Sequence, residues 1–223
     1  MFDAIVVPRG MEYSAVERGL RGIAGAPKLI GVPIGTHAAD TVRDAVARTA
    51  YQRVAIVGVC GLLDPHAYVG ETLVFDESVD RLGDSIRCDE TLTAALSALS
   101  GVTRSRRLLS WTEVVSRAAD KRELGALYFA TAVDMESHAT LAALSERGIA
   151  AAIARVASDD ARSDIPDLRG AIRADGTLEP YRVAGAMLLR PLAAGALIRG
   201  SLAAMPKLSQ LAAKLARAGP RSG

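Results

Sequence analysis

Three carboxylates stand directly after predicted strands in distant parts of the chain. Glu12 follows the first strand, Glu136 follows a short apolar run in the middle of the chain, and Asp159 follows the last strong strand. Open α/β sheets place functional groups at the carboxyl ends of their strands. Carboxyl groups there can donate or accept protons and can stabilise positive charge. We therefore predict that these three acids meet in one site.

The middle acid belongs to the stretch 132–144, where a short strand meets a helix. Asp134 and Glu136 stand at this junction, and a carboxylate at a helix N-terminus is stabilised by the helix dipole. Met135 between them points to the other side and offers an apolar wall. A purely structural alternative, in which the two acids only cap the helix, fits the pattern equally well.

The elements that must position these acids alternate between strand and helix. Residues 53–59 are predicted as an apolar strand, typical of the centre of a sheet covered on both faces, and residues 150–157 as the last strong strand. We predict a single α/β domain over residues 1–180, with a central, mostly parallel mixed sheet flanked by helices, and a helical tail over 181–223. The end of the chain is predicted as short helices cut at Gly170, Gly176, Pro180, Pro191, Gly200 and Pro206.

The composition excludes several classes of protein. Cys60 and Cys88 have no metal-ligand spacing, so we predict no metal and no other cofactor and interpret both as reduced thiols of a cytoplasmic protein. The first residues include an acid where a signal peptide requires positive charge, and we interpret them as a strand. Seven of the 27 basic residues lie in 181–223 without an acid. They are not interleaved with aromatic residues, so we predict no binding to nucleic acid.

The tail has the pattern of a basic amphipathic helix. Its leucines Leu208, Leu211 and Leu215 fall on one face. Such a helix binds a membrane surface or a partner, and the alternative is a helix packed on the body or on a second subunit. No apolar run reaches the roughly 18–20 residues of a spanning helix, so any membrane contact would be peripheral, at the inner membrane. The opposite face carries Arg199, Lys207, Lys214, Arg217 and Arg221.

Four motifs, in the same order, resemble those of the nucleoside phosphorylase/nucleosidase superfamily over about residues 1–165. Residues 133–137, Val-Asp-Met-Glu-Ser, resemble its Met-Glu signature, and residues 155–159, Arg-Val-Ala-Ser-Asp, resemble its Arg-x-x-Ser-Asp strand end. The glycine-rich residues 58–65 and the turn 69–71 resemble its base-pocket loop and the turn that follows. This resemblance implies a nucleoside phosphorylase-like fold and an enzyme that cleaves an N-glycosidic bond.

Within the superfamily, residues 132–138, Ala-Val-Asp-Met-Glu-Ser-His, are most similar to the hopanoid-associated phosphorylase branch. That resemblance implies release of adenine from adenosylhopane in hopanoid lipid biosynthesis. The other members imply two alternatives, a methylthioadenosine/S-adenosylhomocysteine nucleosidase or a purine nucleoside phosphorylase. A non-catalytic nucleoside- or lipid-binding protein is an alternative of another class. We prefer the enzyme because Glu136 and Asp159 are both present.

The resemblance also implies a role for each site residue. Asp159 protonates N7 of the leaving purine, and Ser158 orients its carboxyl group. Glu136 accepts hydrogen bonds from the ribose hydroxyls and stabilises the cationic sugar, on which Met135 packs. The other residues expected to contact substrate are Val59, Cys60, Gly61, Trp111 and Val115.

The first loop leaves the nucleophile open. Glu12 would activate water in a hydrolase, whereas Arg9 in the same loop, or the loop at Gly35, would bind phosphate as co-substrate in a phosphorylase. The aromatic residue that stacks on the base in related nucleosidases is replaced by Val114, which moves stacking to Trp111 or loosens the pocket.

Glu12 and Asp159 each have a purely structural alternative. Glu12 could be a solvent-facing acid in a first helical turn, and Asp159 could be a plain helix N-cap. The resemblance implies a homo-oligomer in which a neighbouring subunit places residues at the 5′ side of the sugar.

Overall fold

The computed structural model describes residues 1–102, 104–171, 173, 176–177 and 179–218. Strands and helices mostly alternate in these residues, as the sequence pattern predicts, but three strands follow one another between residues 53 and 87. The strands are β1 (Ala4–Pro8), β2 (Lys28–Val32), β3 (Arg53–Leu62), β4 (Thr72–Asp80), β5 (Ser85–Arg87), β6 (Arg104–Ser110), β7 (Ala132–Asp134) and β8 (Ala150–Asp159). The helices are α1 (Met11–Leu20), α2 (Ala38–Arg48), α3 (Glu90–Ser100), α4 (Ala118–Tyr128), α5 (Ser137–Ser145), α6 (Pro180–Leu189) and α7 (Pro191–Arg217). A 3₁₀ turn over Arg169–Ala171 precedes α6.

The strands β3 and β8 form the centre of the sheet. They pair in parallel over almost their whole length, and β1 and β2 extend the sheet in parallel from β3. On the other side, β8 pairs antiparallel with β4, β4 pairs parallel with β6, and β6 pairs parallel with β7. Because β7 returns antiparallel to the end of β3, these five strands close a circuit. The predicted α/β class with a mostly parallel mixed sheet is confirmed.

Both faces of the sheet are covered by helices. On one face, Ala4 and Val6 of β1 belong to a cluster that includes residues of α2 and α5. On the other face, Ile5 and Val7 belong to a cluster with α1, α3 and α7. Successive side chains of a strand point to opposite faces, so a strand covered on both sides requires apolar residues at every position. This requirement explains why β3 and β8 are mainly apolar, with Arg155 as a buried charged residue in β8.

The tail ends in one long helix, and the second half of this helix packs on the body. The helix α7 continues through Gly200 and Pro206 for 27 residues, although an internal proline costs about 3 kcal/mol of helix stability. Leu208, Leu211 and Leu215 are buried in the cluster that contains α1, and burial stabilises by roughly 1.5–3 kcal/mol for each leucine. The prediction of short pieces cut at Gly200 and Pro206 is therefore wrong, because tertiary packing outweighs the local cost.

The first part of the tail, residues 181–202, is largely exposed, although Ala194 and Gly200 are buried. No residue of α6 is buried, and Arg182, Arg190 and Arg199 lie among exposed apolar side chains of α6 and early α7. The largest of these are Tyr181, Leu188, Leu189, Leu192 and Leu202. The predicted basic residue Arg221 lies outside the described residues. Among the residues that the structure describes, no helix has the length and apolar character needed to cross a membrane.

Candidate active site

The strands β1, β3 and β8 run parallel and end at the same edge of the sheet. A cavity of about 200 Å³ opens there and adjoins a second cavity of about 240 Å³. The first cavity is lined by the predicted residues Glu12, Val59, Cys60, Gly61, Val115, Met135, Glu136, Ser158 and Asp159. Both cavities are lined by Ile34, Glu113, Val114 and Met135. The fold therefore brings the three strand-end acids around one space.

Arg155 of β8 is a fully buried cation at this site. Its Nη2 lies 2.5 Å from Oδ2 of Asp134 and 3.9 Å from Oε2 of Glu136. Its Nε and Nη2 also donate to the hydroxyl of Ser137, at 3.2 and 2.8 Å. Its Nη1 has no hydrogen-bond partner among the described residues. A single guanidinium thus faces two buried carboxylates on this side.

Gly58 lets a third carboxylate, Glu12, approach Arg155 across β3. A Cβ added at Gly58 would collide with Nη1 of Arg155 and lie 2.6 Å from Oε2 of Glu12. The same Oε2 accepts a hydrogen bond from the Val59 amide at 2.7 Å. Burial raises the pKa of Glu12 to about 7, although Arg155 and the Val59 amide act in the opposite direction. A carboxyl group that titrates near neutral pH is suited to take a proton from water.

Glu136 points into the site, whereas Asp134 caps the N-terminus of α5. Oε1 of Glu136 accepts a hydrogen bond from the Gly35 amide at 2.9 Å, and its side chain does not cap α5. The Ser137 amide donates instead to Oδ2 of Asp134 at 3.1 Å, and the Ser110 hydroxyl donates to Oδ1 of Asp134 at 2.6 Å. Burial, together with the nearby Asp134, raises the pKa of Glu136 to about 8. The capping alternative therefore applies to Asp134 alone.

Asp159 is held from two sides. The Ser158 hydroxyl lies 2.8 Å from Oδ1. The Nζ of Lys121, whose side chain is fully buried, forms an ion pair with Oδ2 and donates to the Asp160 carbonyl at 2.8 Å. Gly61 leaves room for the carboxylate, because a Cβ there would lie 2.9 Å from Oδ2. No helix begins in residues 160–168, so the interpretation of Asp159 as a helix N-cap is wrong.

Three predicted residues are placed differently from what their assigned roles require. Trp111 packs edge-on against Tyr128, with 5.9 Å between the ring centroids, and lines neither cavity. The Nε of Arg9 donates to a backbone carbonyl of β2 at 3.1 Å, and this side chain also lies outside both cavities. Gly35 lines the second cavity, but its amide is already bound to Glu136.

The cysteines and the acids form no further reactive centre in the part of the chain that the structure describes. No group of three or more His, Cys, Asp or Glu residues is placed there to hold a metal ion. Burial raises the pKa of the Cys60 thiol well above its usual range. Because the thiolate is the reactive form of cysteine, Cys60 contributes a wall to the cavity and no nucleophile.

Several solved structures are similar to this chain. The 5′-methylthioadenosine/S-adenosylhomocysteine nucleosidase of Neisseria meningitidis, in complex with methylthio-immucillin-A, has a TM-score of 0.71 and 14% identity, and the match covers 96% of this chain and 98% of that one. Futalosine hydrolase of Helicobacter pylori strain 26695 has a TM-score of 0.70 and 18% identity, over 96% and 94%. A variant of Helicobacter pylori MTAN with 5′-methylthioadenosine in its active site has a TM-score of 0.67 and 16% identity, over 95% and 98%.

The chain has the nucleosidase fold. Identities this low establish the shared fold and leave the activity to be argued from the site. No protein-family model matches the sequence, and a search of curated proteins gives no significant match.

Within this nucleosidase fold, sequence reasoning missed the roles of two buried cations. The sequence analysis names Arg155 only as part of the strand-end motif 155–159, and it predicts no role for Lys121. Arg155 interrupts an otherwise apolar strand, where a buried charge requires a partner. Lys121 lies about one helical turn from buried Ala118 and from Gly125, which packs against Leu63. Helical periodicity therefore places Lys121 on the inner face of α4.

Proposed function

We propose that this protein cleaves the N-glycosidic bond of an adenosyl compound and releases adenine. The observation that carries the proposal is the convergence of Glu12, Glu136 and Asp159 on one cavity at the ends of parallel strands. Two structures with the same fold support it, because one holds 5′-methylthioadenosine and the other holds methylthio-immucillin-A.

The leaving base requires a proton. When the bond between C1′ of the ribose and N9 of the purine breaks, both bonding electrons go to the purine, and protonation at N7 neutralises the charge. Asp159 passes that proton to N7 as general acid. The Ser158 hydroxyl, 2.8 Å from Oδ1, fixes the orientation of the carboxyl group.

The sugar becomes an oxocarbenium-like cation as the bond breaks. Glu136 accepts hydrogen bonds from the ribose hydroxyls, and its ionised form stabilises the cation. The pKa of Glu136, about 8 in the ligand-free protein, falls when a cationic sugar is present, because a nearby positive charge favours the carboxylate. Met135 packs on the sugar face.

Water is the nucleophile that the first loop favours. Glu12, with a pKa of about 7, takes the proton of the attacking water. Arg9 lies outside both cavities. The two arginines that line the second cavity are already paired, Arg169 with Asp167 at 2.5 Å and Arg173 with Glu179 at 2.8 Å. We therefore propose hydrolysis, with phosphorolysis as the alternative.

We further propose that the adenosyl compound carries an apolar chain, as adenosylhopane does. The 3₁₀ turn joins the second cavity to α6, because Arg169 lines that cavity while Gly170 and Ala171 lie beside Leu189 of α6. A hydrocarbon chain that leaves the cavity over this turn meets exposed leucines. A methylthioadenosine/S-adenosylhomocysteine nucleosidase, with a smaller 5′ group in its substrate, is the alternative.

The exposed side chains of residues 181–202, here called the α6–α7 surface, support a peripheral contact with the inner membrane. Residues 181–202 contain three arginines and no acid, and exposed leucines lie among them. Arg182 pairs with Glu179 and Arg190 with Asp164, both outside this segment. This combination complements an anionic lipid surface. Flotation with vesicles that contain anionic lipid tests the contact. Binding should be lost in Leu189→Asn/Leu192→Asn and retained in Tyr68→Asn, which changes an exposed apolar side chain elsewhere. Equal binding of both variants, or no binding by the wild type, rejects it.

We also propose a homo-oligomer. The Tyr128 hydroxyl donates to the Arg81 carbonyl at 2.7 Å, which brings the turn after β4 beside the end of α4. Leu82, Leu127 and Phe129 are exposed there, and such apolar groups favour burial between subunits. Sedimentation velocity should give an oligomer for the wild type and a smaller species for Leu127→Asp. A wild-type monomer rejects the proposal.

Adenine release from adenosylhopane and from methylthioadenosine, each with and without phosphate, tests the proposed reaction. Faster release from the lipid supports the hopanoid substrate, and a requirement for phosphate replaces water as nucleophile. Glu136→Gln and Asp159→Asn should each lose about 100-fold or more in kcat, whereas Glu17→Gln, on the exposed side of α1, should keep full activity. No adenine from either substrate, or full activity in both site variants, rejects the proposal.

A further inference from the structure

Lys121 of α4 is buried next to the cavity without lining it. Its side chain has no exposed area, and its ammonium group is paired with Asp159. We propose that Lys121 supplies the proton that Asp159 passes to the leaving base. This inference rests on the proposed N-glycosidic cleavage, and it makes Lys121 a positioning residue that acts through Asp159.

The ion pair at Asp159 decides which group holds the proton that the leaving base receives. In the ion pair of Lys121 and Asp159 the carboxylate itself has no proton to donate. The pair as a whole still has one, on the ammonium nitrogen. The proton for the base is therefore stored on Nζ of Lys121.

The contacts of the pair define a short path for this proton. An Nζ–H bond of Lys121 breaks as an Oδ2–H bond forms on Asp159. The Oδ2–H bond then breaks as N7–H forms and C1′–N9 breaks, with the bonding electrons of C1′–N9 left on the purine. Lys121 ends as a neutral amine, which is inexpensive to bury, and Asp159 ends as a carboxylate. The amine regains a proton from solvent before the next turnover.

Neighbouring groups hold both ends of this path. The Asp160 carbonyl accepts from Nζ at 2.8 Å, which fixes the ammonium group beside Oδ2. The Ser158 hydroxyl lies against Oδ1 at 2.8 Å, which leaves Oδ2 as the oxygen that exchanges the proton with Lys121.

A leaving group that requires no proton separates proton supply from a structural role. In Lys121→Met, kcat for adenine release should fall about 100-fold. Release of 4-nitrophenolate from the matching 4-nitrophenyl riboside should stay within about twofold of wild type, because that anion leaves without protonation. Arg122→Met, which removes the adjacent and exposed cation of α4, should keep both activities.

Lys121→Arg distinguishes a proton donor from a positive charge. An arginine side chain cannot be deprotonated in a protein, so this variant keeps the charge of the pair and supplies no proton. It should be as slow in adenine release as Lys121→Met. Substantial adenine release by Lys121→Arg would mean that the charge alone suffices and would overturn the inference.

The combined variant Lys121→Met/Asp159→Asn tests whether the two residues act in one step. It should be no slower than the slower single variant, because both substitutions block the same proton transfer. Additive losses, or an equal loss with both leaving groups, would also overturn the inference. If the wild type releases no base from any nucleoside, the proposed function itself fails. If the wild type is active and Lys121→Met is equally active, only the role of Lys121 is rejected.

Discussion

Removing the charge of Glu12 should stabilise the fold at neutral pH and above while it abolishes activity. Burial raises the pKa of Glu12 from an ordinary 4.5 to about 7. Between these two values the folded protein keeps a proton that the unfolded chain has lost, so the free energy of unfolding falls as the pH rises through this window. At 1.36 kcal/mol for a tenfold change in proton affinity, the loss amounts to about 3 kcal/mol.

The variant Glu12→Gln has no such titration, and its side-chain oxygen can still accept from the Val59 amide. Because part of this loss already lies below pH 5, the free energy of unfolding of the variant should rise relative to that of the wild type by about 2.5 kcal/mol between pH 5 and pH 8. Urea denaturation followed by circular dichroism at both pH values measures the difference. Glu17→Gln, an exposed change on the same helix, should shift it by less than about 0.5 kcal/mol. A difference for Glu12→Gln that is the same at pH 5 and at pH 8 would refute the argument that burial sets its titration.

Three further predictions concern the buried cation, the contact of α7 with β8 and the pH dependence of the reaction. Arg155→Met should lower the free energy of unfolding by about 3–5 kcal/mol in urea denaturation, because it leaves buried carboxylates without their cation; a loss below about 1 kcal/mol would contradict this. Gly200→Ala should lower both the melting temperature and adenine release, because a Cβ at Gly200 would collide with the Ser158 carbonyl, whereas Gly185→Ala, which meets open space, should do neither. The value of kcat/KM should decrease as the pH falls below about 8, where Glu136 becomes protonated, and more steeply below about 7, where Glu12 is protonated as well; a flat profile from pH 5.5 to 7.5 would exclude both roles.

The sheet was predictable because its central strands must be apolar on both faces. The strands predicted at 53–59 and 150–157 correspond to β3 and β8, which are somewhat longer in the structure. The strand β5 has no such signal, because its three residues are partly exposed and pair only as the end of a hairpin. The continuity of α7 through Pro206 could not be predicted either, since it depends on burial against distant parts of the chain.

The acids of the site were predictable for a related reason. Strand ends meet at one edge of a parallel sheet, so Glu12 and Asp159 are brought together by topology alone. The partner of Asp159 depends instead on where α4 packs relative to the end of β8, and no local pattern encodes that distance. The position of Trp111 likewise depends on its contact with Tyr128, which forms only once β6 and α4 are in place.

The helix α7 extends for roughly 40 Å at 1.5 Å per residue, and its three parts have different neighbours. Its beginning exposes Leu192, its middle touches the strand end of the general acid where Gly200 meets Ser158, and its end is packed on α1. A lipid surface that held the beginning of this stiff element would also set the orientation of the cavity mouth. A substrate anchored in that surface would then reach the site by lateral diffusion. The reaction rate would depend on the number of substrate molecules per unit area of membrane, not per unit volume of solution.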